Sequence, residues 1–565
     1  MARRSAGRRC VEKILRYNGG KRRRFGVRGA SLEERTYRKR GDVVSKEQER
    51  NELHSAIWLV AQELRGSVDG WDFKAYVLGT LFYRFLSENL TTYINRLERE
   101  AEDGDPNFDY AAFSDEDAEF GRVETVKEKG FYILPSQLFV NVWSAARDAS
   151  EEERANLNET LSNVFKSIEN SAVGTASEEK LAGLFADVDV NSPKLGRSTL
   201  ERGKKLFKIL DAVAGLNLGD FTDNSIDAFG DAYEFLMTMY ASDAGKSGGE
   251  FFTPQEVAEL LAEITLVGKN EINKVYDPAC GSGSLLLKFA KILKSNDMKF
   301  YGQEINLTTY NLCRFNMFLH NVDYNNFDIA HGDTLLEPAY WDDEPFDAIV
   351  SNPPYSTKWE GKDNPILIND PRFAPAGVLA PKSYADLAFA MHMLSWLSEK
   401  GTAAIVEFPG VLYRGGAEQK IRRYLVENDY VDAVIQLPPN LFFGTTIATC
   451  IIVLKKSKTD ASILFVDASQ EFVHSGNQNK LSDENRRDVL KLYADRADVE
   501  HRARLVRNDE VARNDFNLSV SSYVEQADDR EEVDIAKLNA EIAEIVARQA
   551  TLRREIDEIV AELNA

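Results

Sequence analysis

Asn352-Pro353-Pro354-Tyr355 stands at the end of the apolar run Phe346-Asp347-Ala348-Ile349-Val350. A strand ending in this way sets a side-chain amide, a rigid backbone carbonyl and an aromatic ring at one point. Both prolines fix φ and lack an N–H, and each restrains the residue before it. The Asn352 side-chain carbonyl and the Pro353 carbonyl can both accept from one exocyclic NH2. Tyr355 can stack on the ring that bears this amino group. The chemistry is that of a holder for an amino-bearing planar ring. Taken alone, the same four residues also suit a plain turn.

A second constellation lies upstream. Val275-Tyr276-Asp277-Pro278-Ala279-Cys280-Gly281-Ser282-Gly283-Ser284 reads as strand, Gly-containing loop and helix start. The glycines Gly281 and Gly283 permit positive φ and close backbone approach, and the loop presents N–H groups at a helix N-terminus. The third glycine of a dinucleotide fingerprint and the lysine of a P-loop are both missing. Asp277 at the strand end sets a carboxylate beside the ligand, which favours an ammonium or sulfonium cation over a pyrophosphate. Glu304 ends the next strand, 23 residues beyond Gly281, where an acidic residue holds ribose hydroxyls. Asp333 ends the third strand and can accept from an adenine amino group. Asp277, Glu304, Asp333 and Asn352 thus fall at four successive strand ends, the carboxyl edge where doubly wound sheets bind ligands.

The set Phe251-Phe252-Thr253-Pro254, Asp277 to Gly283, Glu304, Asp333 and Asn352 to Tyr355 resembles the motif order of amino-group DNA methyltransferases that use S-adenosylmethionine. Cofactor motifs preceding the catalytic one match their adenine-N6 branch. A helical preface, the entry Gly-Gly-Glu-Phe-Phe-Thr-Pro and Arg414-Gly415-Gly416-Ala417-Glu418 further resemble the methyltransferase (M) subunit of type I restriction–modification systems. The likeness spans roughly residues 46–565. It implies that Phe252, Thr253, Pro254, Asp277, Gly281 and Gly283 frame the methionine end of the cofactor, with Glu304 on its ribose and Asp333 on its adenine. It implies Asn352, Pro353 and Tyr355 as the catalytic set, with Phe442 or Phe443 as a second stacking ring. It also implies DNA as substrate, a separate specificity subunit that usually carries two M subunits, and a motor-nuclease subunit for restriction.

The elements that must position these residues follow from periodicity. Residues 46–240 read as helical, with apolar positions three and four apart in Asn51–Leu64, Leu157–Ile168, Lys204–Val213 and Ala228–Tyr240. The acidic stretch Glu98–Glu119 reads as a solvated loop. Gly245-Lys246-Ser247-Gly248-Gly249 is a flexible joint. Beyond it helices alternate with short apolar strands, the pattern of a parallel α/β sheet. Candidate strands are 274–276, 300–303, 327–330, 346–350, 402–407, 431–436, 448–454 and 462–466. The fold expected is α/β, a doubly wound, mostly parallel, Rossmann-like methyltransferase sheet preceded by an all-α domain and followed by a coiled-coil-type helix. Its parts are a basic extension (1–45), the all-α domain (46–244), the methyltransferase domain (245–470), a polar connecting region (471–530) and a heptad helix (531–565). In the last, Ile535, Leu538, Ile542, Ile545, Gln549, Leu552, Ile556, Ile559 and Leu563 recur at spacings of three and four, a seam for partner helices.

Composition narrows the function classes. At 565 residues with 43% hydrophobic and 28% charged residues the chain is globular and long enough for several cores. It shows no membrane-length apolar run and no signal-peptide pattern. The four cysteines lack metal-ligand spacing and read as free thiols in a reducing cytoplasm. Residues 1–41 hold 15 Lys/Arg against 3 Glu, which leaves 54 against 88 in the rest. An acidic body is a poor lone binder of DNA, whose affinity rests on phosphate neutralisation. Only about 110 residues follow strand 448–454, too few for a recognition domain beside the heptad tail. Both features point to a partner that reads the DNA. Cytosine-N4 transfer is disfavoured by Asn rather than Ser at 352. Protein-glutamine or RNA-guanine transfer needs neither the preface nor the tail. An inactive scaffold would not need the four strand-end residues.

Overall fold

The computed structural model describes residues 53–55, 57 and 70–563, apart from 103, 219–229, 231, 233–234, 237–252, 270, 294, 296, 443–444, 477 and 527–534. The basic extension, the glycine-rich joint, Phe252 and Phe443 lie outside the described residues. Contacts divide the chain into a unit ending at Val524 and a second unit from Glu525 to Ala565.

The first unit is built on a nine-stranded sheet. Its strands in chain order are β1 (Lys274–Asp277), β2 (Lys299–Glu304), β3 (Phe327–His331), β4 (Phe346–Ser351), β5 (Leu397–Glu407), β6 (Val431–Gln436), β7 (Cys450–Leu454), β8 (Ser462–Asp467) and β11 (Ala503–Arg507). They lie in the order β11-β8-β6-β7-β5-β4-β1-β2-β3, and a small antiparallel pair, β9 (Val473–Ser475) and β10 (Gln478–Lys480), stands apart. Pairing is parallel from β3 through to β5 and between β6 and β8. It is antiparallel where β7 runs between β5 and β6 and where β11 joins β8. The strand order reverses between β1 and β4, and that switch point opens a crevice above their carboxyl ends.

The central strands read as continuous apolar runs because both faces are covered. Ala348 and Val350 of β4 point to one core layer, whereas Phe346 and Ile349 point to the other. Helices α5 (Gln255–Leu266), α6 (Ser284–Leu293) and α7 (Leu307–Leu319) contribute to the first layer, and α8 (Asp386–Trp396) and α9 (Ala417–Glu427) to the second. The side chain of Asn306 caps α7 by accepting from the Thr309 N–H at 3.1 Å, which starts that helix three residues after Glu304.

The helical preface is fixed to this sheet through α7. Its long helix α1 (Gly70–Glu100), followed by α2 (Phe139–Asp148), α3 (Leu157–Asn170) and α4 (Thr199–Ala214), stacks Phe82 on Phe315 with ring centroids 4.1 Å apart. Arg314 is buried and donates to the Ala182 carbonyl at 2.9 Å. Asp187 accepts from Thr308 at 2.9 Å and Asn311 at 2.7 Å. Preface and sheet share one core cluster, so the preface braces the helix that leaves the Glu304 strand.

Two expectations need correction. The acidic stretch Glu98–Glu119 is not simply solvated. Tyr110 is buried and its hydroxyl donates to the Ile133 carbonyl at 2.8 Å, and Ala118 is buried as well. Residues 471–524 are no mere connector either. Helix α10 (Asp483–Asp495) begins with a Ser482–Asn485 capping box and sets Val489 and Tyr493 in the core, and β11 completes the sheet edge.

The second unit contains one helix, α11 (Ile535–Leu563). Ile535, Leu538, Ile542, Ile545, Leu552, Ile556, Ile559 and Leu563 are all exposed on it.

Candidate active site

β1 ends at Asp277 and the chain turns into α6 through Gly281 and Gly283, both with positive φ, +53° and +78°. A side chain at Gly283 would meet the Cys313 sulfur at 2.7 Å, so the loop sits directly on α7. Cys280 is buried there as a packing residue. The Asp277 carboxylate accepts from the Ala279 N–H at 3.0 Å and from the Ser351 hydroxyl at 2.9 Å. It is 1% exposed and has no ion pair among the described residues. Burial pushes its carboxyl up to about 7, against the weaker downward pull of those two hydrogen bonds. A buried carboxylate without a counter-charge fits a cationic ligand group.

Glu304, at the end of β2, accepts from the Gly281 N–H at 3.0 Å and the Asn306 N–H at 2.8 Å. Burial raises its carboxyl from the ordinary range. Its backbone carbonyl accepts from the Gly332 N–H at 3.0 Å, joining the β2 and β3 ends. Asp333 uses Oδ1 to accept from the Leu335 and Leu336 N–H groups at 2.9 and 3.3 Å. Three of the predicted residues are thereby joined in one shelf: Gly281, Glu304 and, through the β3 turn, Asp333.

β4 ends at Ser351, and its neighbour Asn352 donates from Nδ2 to the Thr253 hydroxyl at 3.0 Å. Asp277, Ser351, Asn352 and Thr253 thus link the glycine loop after β1 to the entry of α5. Pro254 opens α5 as its N-cap residue, a position suited to a residue without an N–H. Pro353 is buried. The Asn352 amide oxygen, which the sequence leaves free for a ligand amino group, accepts here from the Tyr355 hydroxyl. Tyr355 has no open stack partner; Phe408 meets its ring edge-on at 4.5 Å and Phe442 at 6.4 Å. Phe442 is 1% exposed and belongs to the core. In this conformation it braces Tyr355 and offers no free face.

Sequence reasoning missed several residues of this region. Ser351 carried a signal, since it is a hydroxyl at a strand end beside Asn352. Phe408 and the buried Glu407, whose carboxyl burial pushes well above the usual range, carried none. Ile305, 64% exposed next to Glu304, is an apolar surface beside the shelf. Among the described residues there is no cluster able to hold a metal ion and no helix long and apolar enough to cross a membrane.

The raised Asp277 carboxyl gives a pH prediction. A bound cation favours the ionised form, so binding pulls this pKa down and affinity must rise with pH. Below about 7 the cofactor affinity is expected to climb roughly tenfold per pH unit, then level off above it. Calorimetric titration from acid to neutral pH checks this, and Asp277→Asn should flatten the profile. For folding the sign is opposite: a raised carboxyl pKa contributes stability at low pH that is lost as pH rises through about 7.

Comparison with known proteins fits this geometry. A family model described as N-6 DNA Methylase matches residues 224–532, and one described as HsdM N-terminal domain matches residues 53–213. The type I restriction enzyme MpnII methylase subunit of Mycoplasma pneumoniae is 47% identical over 535 residues, 91% of this chain and 97% of the relative. The MjaVIII methylase subunit of Methanocaldococcus jannaschii is 30% identical, covering 83% of this chain and 78% of the relative. A crystal structure of the type I restriction-modification system methyltransferase subunit from Streptococcus thermophilus superposes with a TM-score of 0.75 at 35% identity, covering 84% of this chain and 100% of that one. The chain therefore belongs to the type I restriction enzyme methylase subunits and carries their N-6 DNA methylase domain.

Proposed function

We propose that the crevice at the β1/β4 switch point binds S-adenosylmethionine and receives a flipped-out DNA adenine, whose N6 amino group is methylated. The observation that supports this best is that the Ser351 hydroxyl bonds Asp277 while the next residue, Asn352, bonds Thr253, which ties the cationic-ligand carboxylate to the amino-group holder. Bound cofactor supplies an electrophilic methyl group. The residues of this chain bind, orient and exclude water. Asp277 and the Gly281–Gly283 loop take the methionine end, Glu304 the ribose and Asp333 the adenine.

Adenine N6 is out of reach inside a duplex, so the base must leave the stack at a cost of a few kcal/mol. Tyr355 offsets part of this by stacking. Asn352 Oδ1 and the Pro353 carbonyl accept from the two amino hydrogens, which draws the nitrogen lone pair out of conjugation and orients it. The Tyr355 hydroxyl has to release Asn352 Oδ1 first, a loss of about 1 kcal/mol. Positioning then provides most of the rate, and no covalent protein nucleophile is needed. The six histidines take no part.

The experiment uses two DNAs with the chain assembled with its specificity partner: one with 2-aminopurine in place of the target adenine, which lacks the N6 amino group and reads extrusion alone, and one with the adenine itself, which reads methylation. Fluorescence is expected to rise on binding as the base leaves the stack. Tyr355→Ala should lose about 10- to 100-fold in methylation, matching a stacking term of ~1–3 kcal/mol per base. Tyr355→Phe should stay within a few-fold, because it keeps the ring and frees Asn352 Oδ1. A quenched probe with wild-type activity would contradict base extrusion.

The exposed apolar row of α11 is the docking surface for the specificity subunit, and the acidic body leaves DNA reading to that partner and the motor-nuclease subunit to restriction. Two M subunits per specificity subunit follow the family pattern. Deleting residues 531–565 is expected to abolish co-purification with the partner while cofactor affinity stays unchanged. Equal co-purification of the truncated chain would overturn this role.

A further inference from the structure

Arg372 is an arginine with a 1% exposed side chain, in the stretch between Tyr355 and α8. Such burial costs several kcal/mol per ion unless every donor is used, and an apolar side chain of similar size often stabilises a fold as well or better. Its partners show what the guanidinium is kept for. One side pairs with Asp370, with NH2 to Oδ2 at 2.8 Å and Nε to Oδ1 at 3.0 Å. The other donates to two successive carbonyls, Thr334 from NH1 and Leu335 from NH2, both at 2.8 Å. NH1 also lies 3.3 Å from His392 Nδ1, and His392 Nε2 lies 3.0 Å from the Tyr276 hydroxyl. Burial, then the adjacent Arg372, hold His392 neutral. It therefore accepts at Nδ1 and donates from Nε2.

The two carbonyls belong to the turn that follows Asp333. The N–H groups of Leu335 and Leu336 in this turn hold Asp333 Oδ1. The Thr334 hydroxyl of the same turn donates to the Pro278 carbonyl at 2.5 Å, inside the cofactor loop. A rigid fork with two parallel N–H bonds fixes both position and orientation of such a turn, which a lysine cannot do.

We propose that Arg372 is a positioning residue for the adenine end of the cofactor, locking the 333–336 turn so that Asp333 receives the adenine amino group. The inference deepens the proposed cofactor site and rests on the assignment of Asp333 to adenine.

The test compares S-adenosylhomocysteine with S-inosylhomocysteine, in which an oxo group replaces the adenine amino group, by calorimetry on the full chain. Variants are Arg372→Lys, which keeps the charge but loses the fork, and Thr334→Val, which keeps the shape but loses the hydroxyl link. The wild type should prefer the amino ligand by about tenfold, one hydrogen bond to a charged acceptor. Both variants should reduce that preference to about twofold or less, with kcat at saturating cofactor and KM for DNA unchanged in the assembled complex. A variant that binds both ligands more weakly by the same factor, or retains the preference, overturns the role of Arg372. A wild type without any preference overturns the adenine assignment of Asp333 itself, and the proposal with it.

Discussion

Asn352→Ala is expected to lower methyl transfer by about 100- to 1,000-fold at saturating DNA and cofactor, the range seen when one preorganised polar partner is removed from a reacting centre. Cofactor affinity should stay within twofold. The separation follows from where the residue sits. Its side chain is joined to Thr253 and Tyr355 and touches neither Asp277 nor Glu304 directly. The link to Asp277 runs through its chain neighbour Ser351 instead. Alanine removes the acceptor that orients the amino group but leaves the Ser351–Asp277 hydrogen bond in place. Single-turnover transfer with preloaded cofactor reads the chemical step. A variant with full transfer would show that the amide has no part in orienting the base.

Glu304→Gln is expected to do the reverse: a cofactor KM about 10- to 100-fold higher with kcat at saturation nearly kept. Each charge-assisted hydrogen bond lost is worth about 1.5–3 kcal/mol, and every 1.4 kcal/mol is tenfold in affinity. The wild-type carboxylate uses one oxygen for Gly281 and the other for Asn306. A neutral amide can accept with only one of its two atoms, so the substitution both weakens the ligand contact and loosens the Gly281 loop. Calorimetry with S-adenosylhomocysteine and steady-state kinetics separate the two parameters. Unchanged cofactor affinity would remove Glu304 from the site.

The strand ends that carry the candidate site were legible as strand ends because their signals are local. Asp277-Pro278 with its two glycines, Glu304, Asp333 and Asn352-Pro353-Pro354-Tyr355 each stand within a residue or two of a short apolar run. The strands β1 to β4, β6 and β8 accordingly fall where periodicity puts them, within a residue or two. The edge strand β11 was not legible. Its sequence Ala503-Arg504-Leu505-Val506-Arg507 buries only Ala503 and Val506 fully, and two arginines on an edge read as loop. Nor could the reversal of β7 be read, since strand direction leaves no mark on a run such as Cys450-Ile451-Ile452-Val453-Leu454.

Within the site, contacts between distant segments were the hidden part. The Tyr355 hydroxyl on Asn352, Phe408 against Tyr355, and Arg372 on the 333–336 turn depend on side-chain directions that no spacing encodes. Phe442 shows the limit from the other side. The family resemblance makes it or Phe443 the expected second stacking ring, while its burial makes it a brace for Tyr355 in this conformation. Truncating it to alanine would cost about 3–5 kcal/mol as a core change, so its effect on activity is inseparable from packing.

The central claim is that one crevice holds an extruded adenine by its amino nitrogen against an activated methyl group. Its most direct test is nucleoside analysis of plasmid DNA after incubation with methyl-labelled S-adenosylmethionine and the chain assembled with its specificity subunit. All label should appear as N6-methyladenine, and its rate of appearance should fall about 100- to 1,000-fold with Asn352→Ala. Label in cytosine or in protein would contradict the account.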